Sequence, residues 1–271
     1  MVRSFAALML LLAGAAHAGT TGINMPPPPP SRVVSINLCT DQLAMLIADP
    51  KQLRSVSYIA ADPRVSLMAE KARSIDLNHG QAEEIFLMQP DLVLANNYSD
   101  PAILDMLARL GIRTETLPPA GSIANIRENI THIGKILGQT ERAATILANF
   151  DADLAAIPKG RNGQLATTYA ANGFANGSNT LSADVMRHAG LMLLADQLGL
   201  ASSGQVALEQ LVITEPELVI TGSREITPSR AEALLDHPAF SALQADRLAI
   251  PDRDWICGLP AITDTVARLM Q

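Results

Sequence analysis

Aromatic side chains are scarce in this chain. They make up 3% of 271 residues: one tryptophan, three tyrosines and five phenylalanines. Any stacking surface must therefore be built from few rings. Positive charge is also short, with 20 Lys and Arg against 27 Asp and Glu and a net charge of −7. Phosphate backbones demand a basic face, so no nucleic-acid partner is expected. The five histidines form no cluster with zinc-ligand spacing, so a binder of bare zinc or manganese is disfavoured and no metal site is expected. Gly-x-Ser-x-Gly and Gly-rich phosphate loops are missing, so the chain is not expected to be an enzyme. An α/β hydrolytic enzyme remains the rival class, because two lobes and a cleft describe many hydrolases. No run of apolar residues reaches the ~20 that a membrane-spanning helix requires. Cysteine is limited to Cys39 and Cys257. In an oxidising compartment such a pair is either a disulfide or two separate buried thiols, and their wide separation favours neither.

Against these absences, 48% of the residues are hydrophobic, enough for a packed core. The N-terminus has a positive flank at Arg3, an apolar run from Phe5 to Ala13, and a small-x-small site at Ala16-His17-Ala18. This pattern is expected to be a secretory signal peptide, residues 1–18, cleaved after Ala18. Its removal takes the net charge to −8. No cysteine sits near the cut, so a lipid anchor on the new N-terminus is not expected, and the natural compartment is the periplasm. Residues 19–31, with five consecutive prolines from Pro26 to Pro30, read as an extended tether, with order beginning at Arg32.

The most informative positive feature is an echo. Glu83-Glu84-Ile85-Phe86-Leu87-Met88-Gln89-Pro90-Asp91-Leu92-Val93-Leu94 is followed, roughly 126 positions later, by Glu209-Gln210-Leu211-Val212-Ile213-Thr214-Glu215-Pro216-Glu217-Leu218-Val219-Ile220. Each copy opens with Glu, places Pro seven residues on, follows it with an acid and ends in an apolar, strand-like run. Two similarly built halves are implied. Strand and helix patterns alternate through residues 32–121 and again through 159–271, which predicts mainly parallel sheets with helices on their faces. Between them, residues 122–158 carry apolar residues at helical spacing, with Gly134 and Gly138 as soft points. The expected fold is α/β: two Rossmann-like lobes with mainly parallel sheets, joined by one long helix that breaks, if anywhere, near Gly138.

The opening Arg32-Val33-Val34-Ser35, the Glu83…Gln89-Pro90-Asp91-Leu92-Val93 unit, the mid-chain helix, the Asn172-Gly173 loop and the late Trp255…Gly258…Pro260 element appear in this order. Together they resemble the class III solute-binding proteins of ABC importers, the cobalamin and ferric-siderophore group. The resemblance spans Arg32 to the C-terminus and implies a monomer that captures a metal chelate between its lobes and delivers it to an inner-membrane ABC permease. It implies no intrinsic cofactor; the cargo is a ferric siderophore or a corrinoid, with haem as the alternative. It also implies docking of the permease on one surface carboxylate per lobe. By position these are Glu83 and Glu209, with Glu84 as the neighbour should the register differ by one.

Ligands of open parallel sheets gather at the carboxyl ends of the strands. In the first half that rule selects Asn37, Cys39, Tyr58, His79, Asn97 and Tyr98. In the second it selects Tyr169, Asn172, Gly173, Arg224, Trp255 and Cys257. Aromatic rings with polar edges suit a flat, partly apolar ligand. Each tyrosine has core packing as its competing role, His79 a solvated loop position, and Arg224 an ordinary surface ion pair. The two cysteines fall on the cleft side, where a bond between them would tie the lobes together.

Overall fold

The computed structural model describes residues 28–158, 160–161, 163–224 and 229–271. The expected signal peptide and residues 19–27 of the tether lie outside the described residues. The first lobe runs β1 (Val33–Ser35), α1 (Leu38–Ile47), β2 (Leu53–Ser57), a 3-10 turn at Tyr58–Ala61, α2 (Ala69–Ala72), β3 (Asp76–Asn78), α3 (Ala82–Leu87), β4 (Leu92–Asn96), α4 (Pro101–Arg109) and β5 (Thr114–Leu117). Its five strands form one sheet in the order β3-β2-β1-β4-β5. Every pairing in it is parallel. All five residues of β4 are buried, as a parallel strand covered on both faces requires.

Two helices follow, α5 (Ile123–Ile136) and α6 (Thr140–Ala156). The long helix expected over 122–158 is therefore helical but divided. Gly138, at the turn between the two, takes φ +69, a left-handed conformation open to glycine at little cost. A Cβ at this position would also lie 2.5 Å from Pro29 Cγ. Helix α6 folds back onto α5 because Gly134 has no side chain to hold off Ala143.

Residues 28–31, expected as the end of a solvated tether, are instead docked on this turn. Pro30 is buried and its carbonyl accepts from Gln52 Nε2 (2.8 Å), which also donates to the Leu137 carbonyl (2.9 Å). Those two carbonyls have no intrahelical or ladder partner, and one amide serves both.

The second lobe comprises β6 (Leu165–Thr168), a 3-10 turn at Ala171–Gly173, β7 (Phe174–Ala175), α7 (Leu181–His188), β8 (Met192–Leu193), α8 (Leu194–Gln197), β9 (Gly204–Gln205), α9 (Leu208–Thr214) and β10 (Leu218–Thr221). It ends with a 3-10 turn at Arg230–Asp236, α10 (Pro238–Ser241), β11 (Asp246–Ala249), a 3-10 turn at Asp252–Asp254 and α11 (Ile262–Leu269). Strands β11-β10-β6-β8 make a second parallel sheet, and β7 pairs antiparallel with β9.

The lobes share one continuous apolar core. Ile126, Ile130 and Ile133 line the buried face of α5, which packs on α1 in one lobe and α7 in the other. The start of α5 is held from the second lobe, where Asp184 Oδ2 accepts from the Ile123 N–H (2.8 Å). A joint made of core rather than of flexible strands permits only small relative motions.

Candidate functional site

Loops from the carboxyl ends of both sheets meet in a hollow of about 340 Å³. That is the lower end of the range for small-molecule sites. The first lobe contributes Tyr98, which follows β4, and Pro119, Ala120 and Gly121, which follow β5. The second contributes Asn176, Asn179, Thr180, Leu181 and Ser182 around the start of α7, and Asp252, Trp255 and Ile256 beyond β11. Tyr98 is 80% exposed. A tight turn holds it there: its N–H donates to Asn96 Oδ1 (2.8 Å), while the Asn96 N–H donates to Ser99 Oγ (3.1 Å). Trp255 is 7% exposed and belongs to the shared core. One ring thus stands free in the hollow, and the other is fixed in its wall. A second hollow of about 470 Å³ lies along the same divide, between residues 63–71 of the first lobe and Arg253 of the second.

Cys39 and Cys257 are joined as a disulfide, with Cα atoms 4.8 Å apart. The bond links the first turn of α1 to the loop that carries Trp255 and Ile256. It ties the lobes beside the hollow.

The remaining expected site residues divide by what their side chains already hold. Asn37 caps α1, its side chain accepting the Cys39 N–H (3.0 Å). Asn97 is exposed on the Tyr98 turn but does not line the hollow. Tyr58 and His79 stack on each other with centroids 5.1 Å apart, at the ends of β2 and β3, away from the hollow. His79 is further engaged by Glu84, whose carboxylate accepts the His79 N–H (2.7 Å) and lies 3.6 Å from its Nδ1.

Four more of the expected residues lie away from the hollow, engaged within their own lobe. Tyr169 is fully buried, stacked on Phe240 at 5.7 Å, and its hydroxyl donates to the Val206 carbonyl (3.1 Å). Gly173 is buried against the same pair, where a Cβ would fall 2.7 Å from the Val206 oxygen and 3.0 Å from the Tyr169 hydroxyl. Asn172 supplies the left-handed residue (φ 55) that turns the chain into that position. Arg224 pairs with Asp236 at 2.7 Å on the surface of its own lobe. None of the four lines the hollow.

Asn176, Asn179, Thr180, Ser182 and Asp252 line the hollow without having been singled out from the sequence. The only signal was the density of turn formers just before α7. Thr180 looks like an ordinary helix cap, and it is one, accepting the Ala183 N–H (3.3 Å). Among the described residues, no Lys, Arg or His lines the hollow. Burial raises the Asp252 carboxyl above the usual carboxylate range. In the first turn of α1, burial pushes Asp41 up to about 6, against hydrogen bonds from Ser35 and Ser57. Among the described residues, no group of three or more His, Cys, Asp or Glu is placed to hold a metal ion. None of their helices is long and apolar enough to cross a membrane.

Glu83 and Glu209 stand in the first turns of α3 and α9, both exposed and unpaired among the described residues. Negative charge at a helix start is favoured by the peptide dipoles, though helices this short gain little.

Comparison with known proteins agrees with this architecture. Residues 33–248 match the family model described as periplasmic binding protein. A cobalamin-binding protein of Halobacterium salinarum is 26% identical over 213 residues, covering 76% of this chain and 58% of that protein. The chain thus spans a little over half the length of the curated relatives it matches. A possible iron-binding, periplasmic solute-binding protein of Staphylococcus epidermidis superposes with a TM-score of 0.73 at 16% identity, covering 90% of this chain and 98% of that one. A periplasmic heme-binding protein of Pseudomonas aeruginosa gives 0.69 at 21% identity, covering 89% and 91%. With its two parallel-sheet lobes and the family match over most of its length, the chain belongs to the periplasmic binding protein family.

Proposed function

We propose that this protein is the substrate-binding component of an ABC importer, working outside the cytoplasmic membrane as a monomer. It captures a corrinoid or ferric-siderophore chelate between its lobes and hands it to an inner-membrane permease. The observation that carries this reading is the hollow itself, where Tyr98 from one lobe and Trp255 from the other line one space at the carboxyl ends of two parallel sheets. A binding role needs shape and a few convergent polar groups. The amides of Asn176 and Asn179 and the hydroxyls of Thr180 and Ser182 supply them. The cobalamin-binding relative supports the corrinoid branch of the reading. Glu83 and Glu209 serve as a two-point electrostatic key for basic residues on a two-fold permease.

Haem is the second reading. It is favoured by the free phenol of Tyr98, since a tyrosine oxygen is a competent axial ligand for ferric haem. The two separate in one experiment on purified protein, following Trp255 emission on titration with cyanocobalamin, ferrioxamine B and haemin. Saturable quenching by a corrinoid or a siderophore, with about tenfold weaker binding in Tyr98→Ala, is the expected result. Haemin alone binding, with a Soret band lost in Tyr98→Ala, selects the second reading. No response to any of the three refutes both.

A further inference from the structure

The lining of the hollow is electrically one-sided. Among the described residues its polar side chains are two amides, three hydroxyls (Tyr98, Thr180 and Ser182), the Trp255 indole and a single carboxylate, Asp252. Asp252 forms no ion pair or side-chain hydrogen bond among the described residues. Gly222 packs beside it: a Cβ there would lie 3.4 Å from Asp252 Oδ1. Its carboxylate is exposed to the hollow and has no partner there, so a bound cation would be attracted by it and a bound anion repelled.

Among the described residues, the arginines on the neighbouring segments of the second lobe are engaged elsewhere. Arg253, next in sequence, turns to the other lobe, donating to the Pro63 carbonyl (2.5 Å) with its Nε 3.6 Å from Asp254. Arg268 pairs with Asp254 at 2.7 Å, and Arg224 with Asp236. The positive end of α7 also reaches the hollow. There Thr180 takes one free N–H, and Asp184 in the first turn sets a carboxylate beside it. Residues 225–228, Glu-Ile-Thr-Pro, carry no cationic side chain in sequence.

We infer that Asp252 sets the charge selectivity of the cleft, admitting cationic and neutral metal chelates and rejecting anionic ones. The inference rests on the binding role proposed above and narrows its cargo. Polyanionic catecholate chelates are excluded, and a ferric hydroxamate with a free amine, or an uncharged or cationic corrinoid, is the fitting class. The carboxylate acts at a distance set by the hollow, so it discriminates by charge and not by shape.

The test varies charge on fixed scaffolds. Trp255 emission is followed with ferrioxamine B (cationic), its N-acetyl derivative (neutral) and its N-succinyl derivative (anionic). Cyanocobalamin is compared likewise with its monocarboxylic acid derivative. On whichever scaffold binds, affinity should fall by about tenfold per unit of negative charge added, and less at high salt. In Asp252→Asn the series should flatten to within about threefold. In Asp252→Lys it should invert. A flat series in the wild-type protein, or an equal slope in Asp252→Asn, overturns the inference while leaving the binding role intact. If no member of either series binds to protein that melts cooperatively, the binding role fails and the inference fails with it.

Discussion

Asp91 and Glu217 do the same work in the two lobes. The Asp91 carboxylate accepts the backbone N–H groups of Ser31 (2.7 Å) and Arg32 (2.9 Å) at the entry to β1. The Glu217 carboxylate accepts the N–H of Leu165 (2.9 Å) at the start of β6. Both follow a proline preceded by a left-handed residue, Gln89 at φ 49 and Glu215 at φ 46. The acid after the proline thus fastens the neighbouring strand in each half. The repeated sequence unit is a repeated structural joint.

That joint gives a first prediction. Asp91→Ala and Glu217→Ala should each destabilise their lobe by about 1–2 kcal/mol, because strand-entry N–H groups lose a charged acceptor. Urea unfolding measures it, with Asp91→Ala the larger effect since two N–H groups and the Ser31 hydroxyl depend on it. Equal midpoints in wild type and both variants would show that water replaces the carboxylates at no cost.

The Cys39–Cys257 bond joins positions 218 residues apart. Cross-linking over so long a loop restricts the unfolded chain, so reduction or Cys39→Ser/Cys257→Ser should cost about 2–5 kcal/mol. The denaturation midpoint of the oxidised protein should fall on adding dithiothreitol, whereas the double variant should not respond. An oxidised midpoint insensitive to reductant contradicts this.

Asp41 predicts a pH dependence. Its folded-state value of about 6 lies above the ordinary 3.8, so the folded chain holds this proton more tightly than the unfolded chain does. The stabilisation tied to the proton is complete below about pH 4 and is lost as pH rises through about 6. It amounts to roughly 3 kcal/mol. Asp41→Asn resembles the neutral acid, so its stability relative to wild type should rise by about that amount between about pH 4 and pH 7.5. A relative stability that stays constant over this window would place the titration elsewhere.

Charge reversal at Glu83 and Glu209 tests docking separately from capture. The double variant Glu83→Lys/Glu209→Lys should retain chelate affinity within about twofold, since neither residue lines the hollow. Uptake in cells that depend on the protein should fall by at least about tenfold. Normal uptake would remove both carboxylates from the permease interface.

Much of the fold was legible in the linear chain. Parallel α/β order follows from local periodicity, and the echo at Glu83 and Glu209 announced two halves before any contact was known. The break at Gly138 was visible as a soft point but not as a turn, because what opens the turn is Pro29 and Gln52 packing from far away in sequence. The docked end of the tether was hidden for the same reason. The site was legible only in part. Tyr98 and Tyr169 both close a strand, yet one stands in the cleft and the other is sealed under Phe240 and Val206.

Sequence alone thus determined the two-lobed plan, because helix caps, proline stops and strand runs act over a few residues. Tertiary structure decided which residues share the hollow. Asn179, Asp252 and Tyr98 come from separate loops, and only the common core around α5 and the Cys39–Cys257 bond set the lobes at the angle that brings them together.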